Sequence, residues 1–180
     1  MTDLPAAYSV LFAADRTGET PAETITLDYE ARFLRRKVLT SDAGRPFLVD
    51  LSETVSLEEG DCFRIGDNAS ELVEVRAAPE ALLEIHTSDP VRIAWHVGNR
   101  HTPCQLSKGR LLIRADAVME DMLHRLGAHC HAVTEPFRPE GGAYGMGRTH
   151  GHDHSHVHTH IGHSHGPDDE DHDHEHLHDH

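Results

Sequence analysis

Thirteen of the nineteen histidines in this 180-residue chain fall between His150 and His180, most of them at every second position. From Arg148 onward Val157, Ile161 and Leu177 are the only sizeable apolar residues, and no aromatic follows Tyr144. Such a segment cannot bury enough surface to offset its ordering entropy, so residues 148–180 are expected to be disordered without a ligand. Whatever packs must come from the first 147 residues, enough for one large domain or two small ones.

Charge and cysteine content narrow the class further. The formal net charge is −15, and the last 33 residues carry eight acids against a single arginine. So acidic a chain is a poor match for nucleic acid. No apolar run approaches the roughly 18–20 residues that span a bilayer, and Met1 to Ala14 lack the basic and apolar regions of a secretory signal. Cys62, Cys104 and Cys130 are odd in number and include no Cys-x-x-Cys pair. This usage predicts neither a disulfide framework nor a Cys-rich zinc site, and it suits a reducing cytoplasm.

Residues 1–77 read as a β-rich domain. Thr24-Ile25-Thr26-Leu27 and Glu71-Leu72-Val73-Glu74-Val75 alternate polar with apolar, Phe47 to Leu51 is a short apolar run, and turn residues cluster at 43–46, 58–61 and 66–68. Short strands with frequent turns suggest a small antiparallel sheet or barrel. The basic run Arg32-Phe33-Leu34-Arg35-Arg36-Lys37 reads as a solvated strand face that could attract an acidic partner.

Residues 78–147 change pattern. Ala81 to His86 reads as a strand. Ser88 or Asp89 can cap a helix starting at Pro90 and running to about Arg100. Strands follow around Cys104 to Leu106 and Leu111 to Ile113. Asp116 can cap a second helix, with Val118, Met122, Leu123 and Leu126 at the helical period and Gly127 ending it. Cys130 to Thr134 closes the series. The order βαββαβ is that of a ferredoxin-like domain, and the whole chain is expected to be α+β.

The tail's composition points to metal. His150, His152, His154, His156, His158 and His160 alternate with small or acidic residues, and His172 to His180 repeat the alternation. Neutral imidazole suits Ni²⁺, Zn²⁺ and Cu²⁺. In a flexible chain, His-x-His spacing lets neighbouring rings close on one ion, and overlapping pairs give several exchangeable sites. Acid should weaken them as rings protonate below about pH 6.5. Within the packed region, His101 follows Gly98 and Asn99 and precedes Pro103, so it should project from a helix end. His96 lies five residues away, about 140° around a helix, and cannot share a single-helix chelate with it. His101 therefore needs ligands from elsewhere. His96 beside Trp95, Cys104 just beyond His101, and His129 with His131 on one strand face are open candidates. His86 and His124 read as surface positions. There is no Gly-rich phosphate loop and no acid–His–nucleophile set, so an enzymatic role is not expected.

The run Ala94-Trp95-His96-Val97-Gly98-Asn99-Arg100-His101-Thr102-Pro103-Cys104-Gln105 resembles the signature of the UreE family of nickel metallochaperones. Collinear likeness extends through Arg35 to Thr40, Phe47 to Leu51, Val73 to Val75, Glu120 to Leu123, and Glu135 to Tyr144. The resemblance implies a β-rich domain that holds a peptide or partner, then a ferredoxin-like metal-binding domain that forms a homodimer. It implies that His101 from each subunit shares one metal near the two-fold axis, and that His150 and His152 are recruited from the tail. It further implies delivery of nickel to the urease apoprotein complex through the accessory GTPase UreG. Some members carry two histidines before the final helix, where this chain has Arg114-Ala115-Asp116-Ala117. The rival expectation is a general buffer or store for divalent Ni, Zn or Cu, acting through the tail alone.

Overall fold

A computed structural model describes residues 4–66, 70–107 and 109–141. The expectations for the tail, including its disorder and His150, His152, His154, His156, His158 and His160 as ligands, lie outside the described residues. Six strands form the first sheet: β1 (Ala6–Leu11), β2 (Glu23–Leu27), β3 (Phe33–Thr40), β4 (Pro46–Ser56), β5 (Cys62–Ile65) and β6 (Glu71–Ala77). Their order is β2-β6-β5-β1-β4-β3. Alternation sets the buried face: Phe47, Val49 and Leu51 of β4 meet Val73 and Val75 of β6 with Phe63, Ile65, Ile25 and Ala7. Phe47 and Phe63 pack edge to face at 5.6 Å.

The sheet is mixed, which corrects the antiparallel expectation. β1 runs parallel to β4, and β2 runs parallel to β6. Period-two alternation says which side of a strand is buried but nothing about which neighbour it takes or in which direction. β1 inserts between β4 and β5, far from both in sequence.

The second sheet holds β7 (Pro79–His86), β8 (Cys104–Ser107), β9 (Arg110–Arg114) and β10 (His129–Pro136), with helices α1 (Pro90–Gly98) and α2 (Ala117–Arg125) between them. Its order is β10-β7-β9-β8 with every adjacent pair antiparallel, the ferredoxin-like arrangement. The chain is thus α+β, a β-rich half followed by βαββαβ. Both helices start on a carboxylate cap. Arg92 N–H donates to Asp89 Oδ1 at 3.1 Å, and Met119 N–H donates to Asp116 Oδ1 at 2.8 Å. Each cap stabilises its helix by about 1 kcal/mol. Ile93 and Val97 of α1 join Met119 and Leu123 of α2 over Leu83, Ile85, Leu111 and Ile113. Val118, expected on the apolar stripe of α2, is instead 78% exposed, because the buried stripe is centred on Met119 and Leu123 one position further on. Among the described residues no helix is long and apolar enough to cross a membrane.

One residue of the basic run corrects its reading. Arg32 is 1% exposed, the reverse of a solvated position. Its Nη2 donates to the carbonyl of Phe137 at 2.5 Å, and its Nη1 lies 3.5 Å from the carbonyl of Leu57 and 3.6 Å from Glu58 Oε2. Phe137, just past β10, is fully buried against Tyr29, Leu82 and Leu112. The guanidinium therefore joins the first sheet's turn at 28–32 to the end of the second sheet. Arg35, Arg36 and Lys37 on β3 are exposed as expected.

Candidate metal centre

The end of α1 places His101. Thr102 N–H reaches the carbonyl of Val97 at 3.4 Å, and His101 N–H reaches that of Gly98 at 2.9 Å. This pair of bonds closes a helix C-terminus with the first of its two donor residues left-handed, and that residue here is His101, with φ 53°. It is the one non-glycine residue with positive φ among the described residues.

The second helix supplies an internal comparison. At the end of α2, Ala128 N–H bonds to the carbonyl of Leu123 and Gly127 N–H to that of His124, both at 3.0 Å. The bonding is the same, and the left-handed position is filled by Gly127 at φ 85°. One fold thus ends both helices alike, with the usual residue in one and a histidine in the other. A left-handed L-residue costs about 1 kcal/mol, and such strain concentrates where a side chain is needed. The result is an exposed imidazole standing off the helix end.

The surroundings show what His101 has and lacks. Among the described residues no three His, Cys, Asp or Glu side chains are gathered as a metal-binding group. His96 is half-buried in the last turn of α1, with its ring set edge-on to Trp95 at 5.0 Å and its carbonyl accepting from Arg100 Nη1. Val91 and Trp95, one turn apart on the same helix, are 80% and 63% exposed, an uncovered apolar strip along α1. A cleft of about 770 Å³ between the two sheets begins at Thr102 and Pro103 and is lined further by Asp28, Glu80, Arg114 and Asp116. His101 itself does not line it.

Cys104 is partly buried, its side chain packed against the second core. Burial pushes its thiol up to about 11, with nearby Glu140 adding to the shift. At pH 8 the thiol is neutral, and only thiolate ligates or reacts. Alkylation with iodoacetamide at pH 8 should therefore leave Cys104 largely unmodified until the chain is denatured, as peptide mass spectrometry would show. Burial also raises the Cys62 and Cys130 thiols, and all three cysteines are free.

The stretch in place of a second histidine pair has other work. Asp116 caps α2, while Arg114 pairs with Glu30 at 3.0 Å and covers the Tyr29 ring. His129 and His131 lie exposed on one face of β10, as strand alternation requires. His86, read from the sequence as a lone surface residue, sits opposite His129 in the register of β7 and β10. Only strand pairing reveals that neighbourhood.

The chain matches the description "UreE urease accessory protein, N-terminal domain" over residues 10–78 and "UreE urease accessory protein, C-terminal domain" over residues 80–165. A urease accessory protein UreE of Ruegeria pomeroyi is 52% identical over 151 residues, which cover 83% of this chain and 97% of that protein. The corresponding protein of Cereibacter sphaeroides is 54% identical over 151 residues, 84% of this chain and 81% of the relative. That of Rhodobacter capsulatus is 56% identical over 130 residues, 72% of this chain and 81% of the relative.

Proposed function

The chain belongs to the UreE family of urease accessory proteins, chaperones of nickel delivery for urease maturation rather than enzymes, and from that premise we propose how this one holds its cargo. Two chains form a homodimer through residues 78–147. The His101 imidazoles of the two subunits grip one Ni²⁺ between them. The 148–180 tail gathers ions through His150, His152, His154, His156, His158 and His160 and passes them inward. Residues 1–77 engage a partner, and the accessory GTPase UreG with the urease apoprotein complex receives the metal in the cytoplasm. Zn²⁺ and Cu²⁺ compete for the same imidazoles, since borderline ligands do not select among them strongly.

The observation that carries this reading is the left-handed backbone at His101, where the twin helix end has Gly127. The strained position carries an exposed ring, and among the described residues no three ligating side chains of one chain are gathered around an ion site. A two-fold interface supplies a second ligand automatically, because each patch meets its own copy. The exposed Val91 and Trp95 of the same helix offer the apolar surface such an interface buries. Two imidazoles leave one at a time, so release proceeds by stepwise ligand exchange.

Deleting residues 148–180 separates this reading from a tail-driven buffer. Calorimetric titration should retain one tight Ni²⁺ per dimer after the deletion while total capacity falls, and urease activation should largely persist. A buffer would lose nearly all its binding.

A further inference from the structure

The open face of the second sheet, opposite α1 and α2, carries an unassigned group of imidazoles. Alternation puts Glu84 and His86 of β7 on that face with Leu82, and the register sets His129 against His86 and His131 against Glu84. The His86 and His131 rings stand 4.6 Å apart between centroids, tilted by 46°. We propose that His86 and His131 form a second metal site for a borderline divalent cation, with His129 or water completing it, separate from His101.

The geometry suits cis coordination. Two nitrogens each about 2.1 Å from one ion at a right angle are about 3 Å apart, a separation that neighbouring rings at this centroid distance reach by small rotations. The third position is not yet filled, since no three ligating side chains are gathered among the described residues. His129 is exposed and in register with His86, so a change of rotamer brings it in.

A carboxylate already orients one ligand. His86 Nε2 lies 3.3 Å from Glu84 Oε1, and the other oxygen of Glu84 is held by Arg110 Nη2. A metal-bound imidazole commonly gives its second N–H to such a carboxylate, which fixes the tautomer and leaves the other nitrogen for the ion. Here Nε2 faces Glu84 and Nδ1 is the ligating atom. His86 precedes α1 and His101 follows it, and nine helical residues span about 14 Å. No single ion bridges both within one chain.

Site-resolved footprinting of the full chain tests this. Diethyl pyrocarbonate modifies free imidazoles, and peptide mass spectrometry reads each histidine with Ni²⁺ absent and then added stepwise. Nickel should remove most of the reactivity of His86 and His131 together. In His131→Asn, His86 should stay reactive at the same nickel concentrations while His101 and the tail remain protected. His86→Asn should expose His131 in turn, and circular dichroism confirms that each variant folds. Glu84→Gln should raise the nickel needed to protect His86 by roughly tenfold, as loss of an outer-shell partner does. Nickel that leaves His86 and His131 reactive, or that protects His86 equally in His131→Asn, overturns the site. Protection of His86 and His131 without protection of His101 would instead sink the central-site reading and leave this one standing.

Discussion

Replacing His101 with glycine should remove the tight nickel site and leave the protein at least as stable as before. Inside a helix, a glycine substitution is expected to cost stability. Here the backbone at position 101 is left-handed, and the two bonds from Thr102 and His101 to Val97 and Gly98 need it so. Glycine relieves about 1 kcal/mol of strain and adds about 0.4–1 kcal/mol of freedom to the unfolded chain. The net lies between no change and a gain of about 0.6 kcal/mol. His101→Ala keeps the strain, so its stability should stay close to the parent's, and it loses the same ligand. At the other helix, Gly127→Ala should cost about 1 kcal/mol. A Cβ there meets nothing within 4 Å, so that cost is conformational rather than steric. Thermal unfolding and nickel calorimetry on the three variants read both effects. A His101→Gly protein that still binds one tight Ni²⁺ per dimer would remove this residue from the metal centre. One markedly less stable than His101→Ala would show that the backbone there is not strained.

The second large effect is expected from Arg32→Met, which keeps an unbranched apolar stem and deletes the guanidinium. The substitution strips a donor from the buried carbonyl of Phe137 and from that of Leu57, and it removes the ion pair with Glu58. It also ends the cation–π contact with Tyr29 at 5.6 Å. Leaving buried acceptors without their charged donor costs about 3–5 kcal/mol, the range seen when one partner of a buried polar pair is removed. For a protein of this size that lowers Tm by on the order of 10 °C. Because Arg32 and Phe137 belong to different sheets, the loss should fall on their coupling as well. Urea unfolding followed by Trp95 fluorescence, which reports the second sheet's helices, should then separate from unfolding followed by far-ultraviolet circular dichroism. Coincident transitions with a shift under about 1 kcal/mol would show that the Arg32 contacts do not couple the two sheets.

Much of the second half was legible residue by residue. Pro90 behind a capping aspartate, Asp116 three residues before Met119, and Gly127 past a helical repeat each act within one turn of chain. Such signals are local, and every one of them appears in the structure where the pattern placed it. The strip of α2 that is buried moved by one position, from Val118 to Met119, because a 3.6-residue repeat leaves the centre of an apolar stripe loosely set until a sheet is packed against it. β1 and β5 went unread: Ala6–Leu11 carries little alternation, and Cys62–Ile65 is only four residues long.

The candidate site divides the same way. That His101 stands exposed at a helix terminus follows from Gly98, Asn99 and Pro103 alone, and the family likeness from the residues around it. Its left-handed backbone does not, since nothing in a histidine codes for positive φ. The hydrogen bonds of the surrounding turn impose it. Order along the chain determined the strand and helix sequence of the second half, its caps and the metal-seeking chemistry of the imidazoles. Tertiary packing alone decided that β1 lies beside β4, that Arg32 is enclosed rather than solvated, and that His86 meets His131. The reason is physical: helical turns and strand faces are set by neighbours a few residues away. Pairing direction, burial of a charge and side-chain meetings across strands depend on free energies shared by segments tens of residues apart.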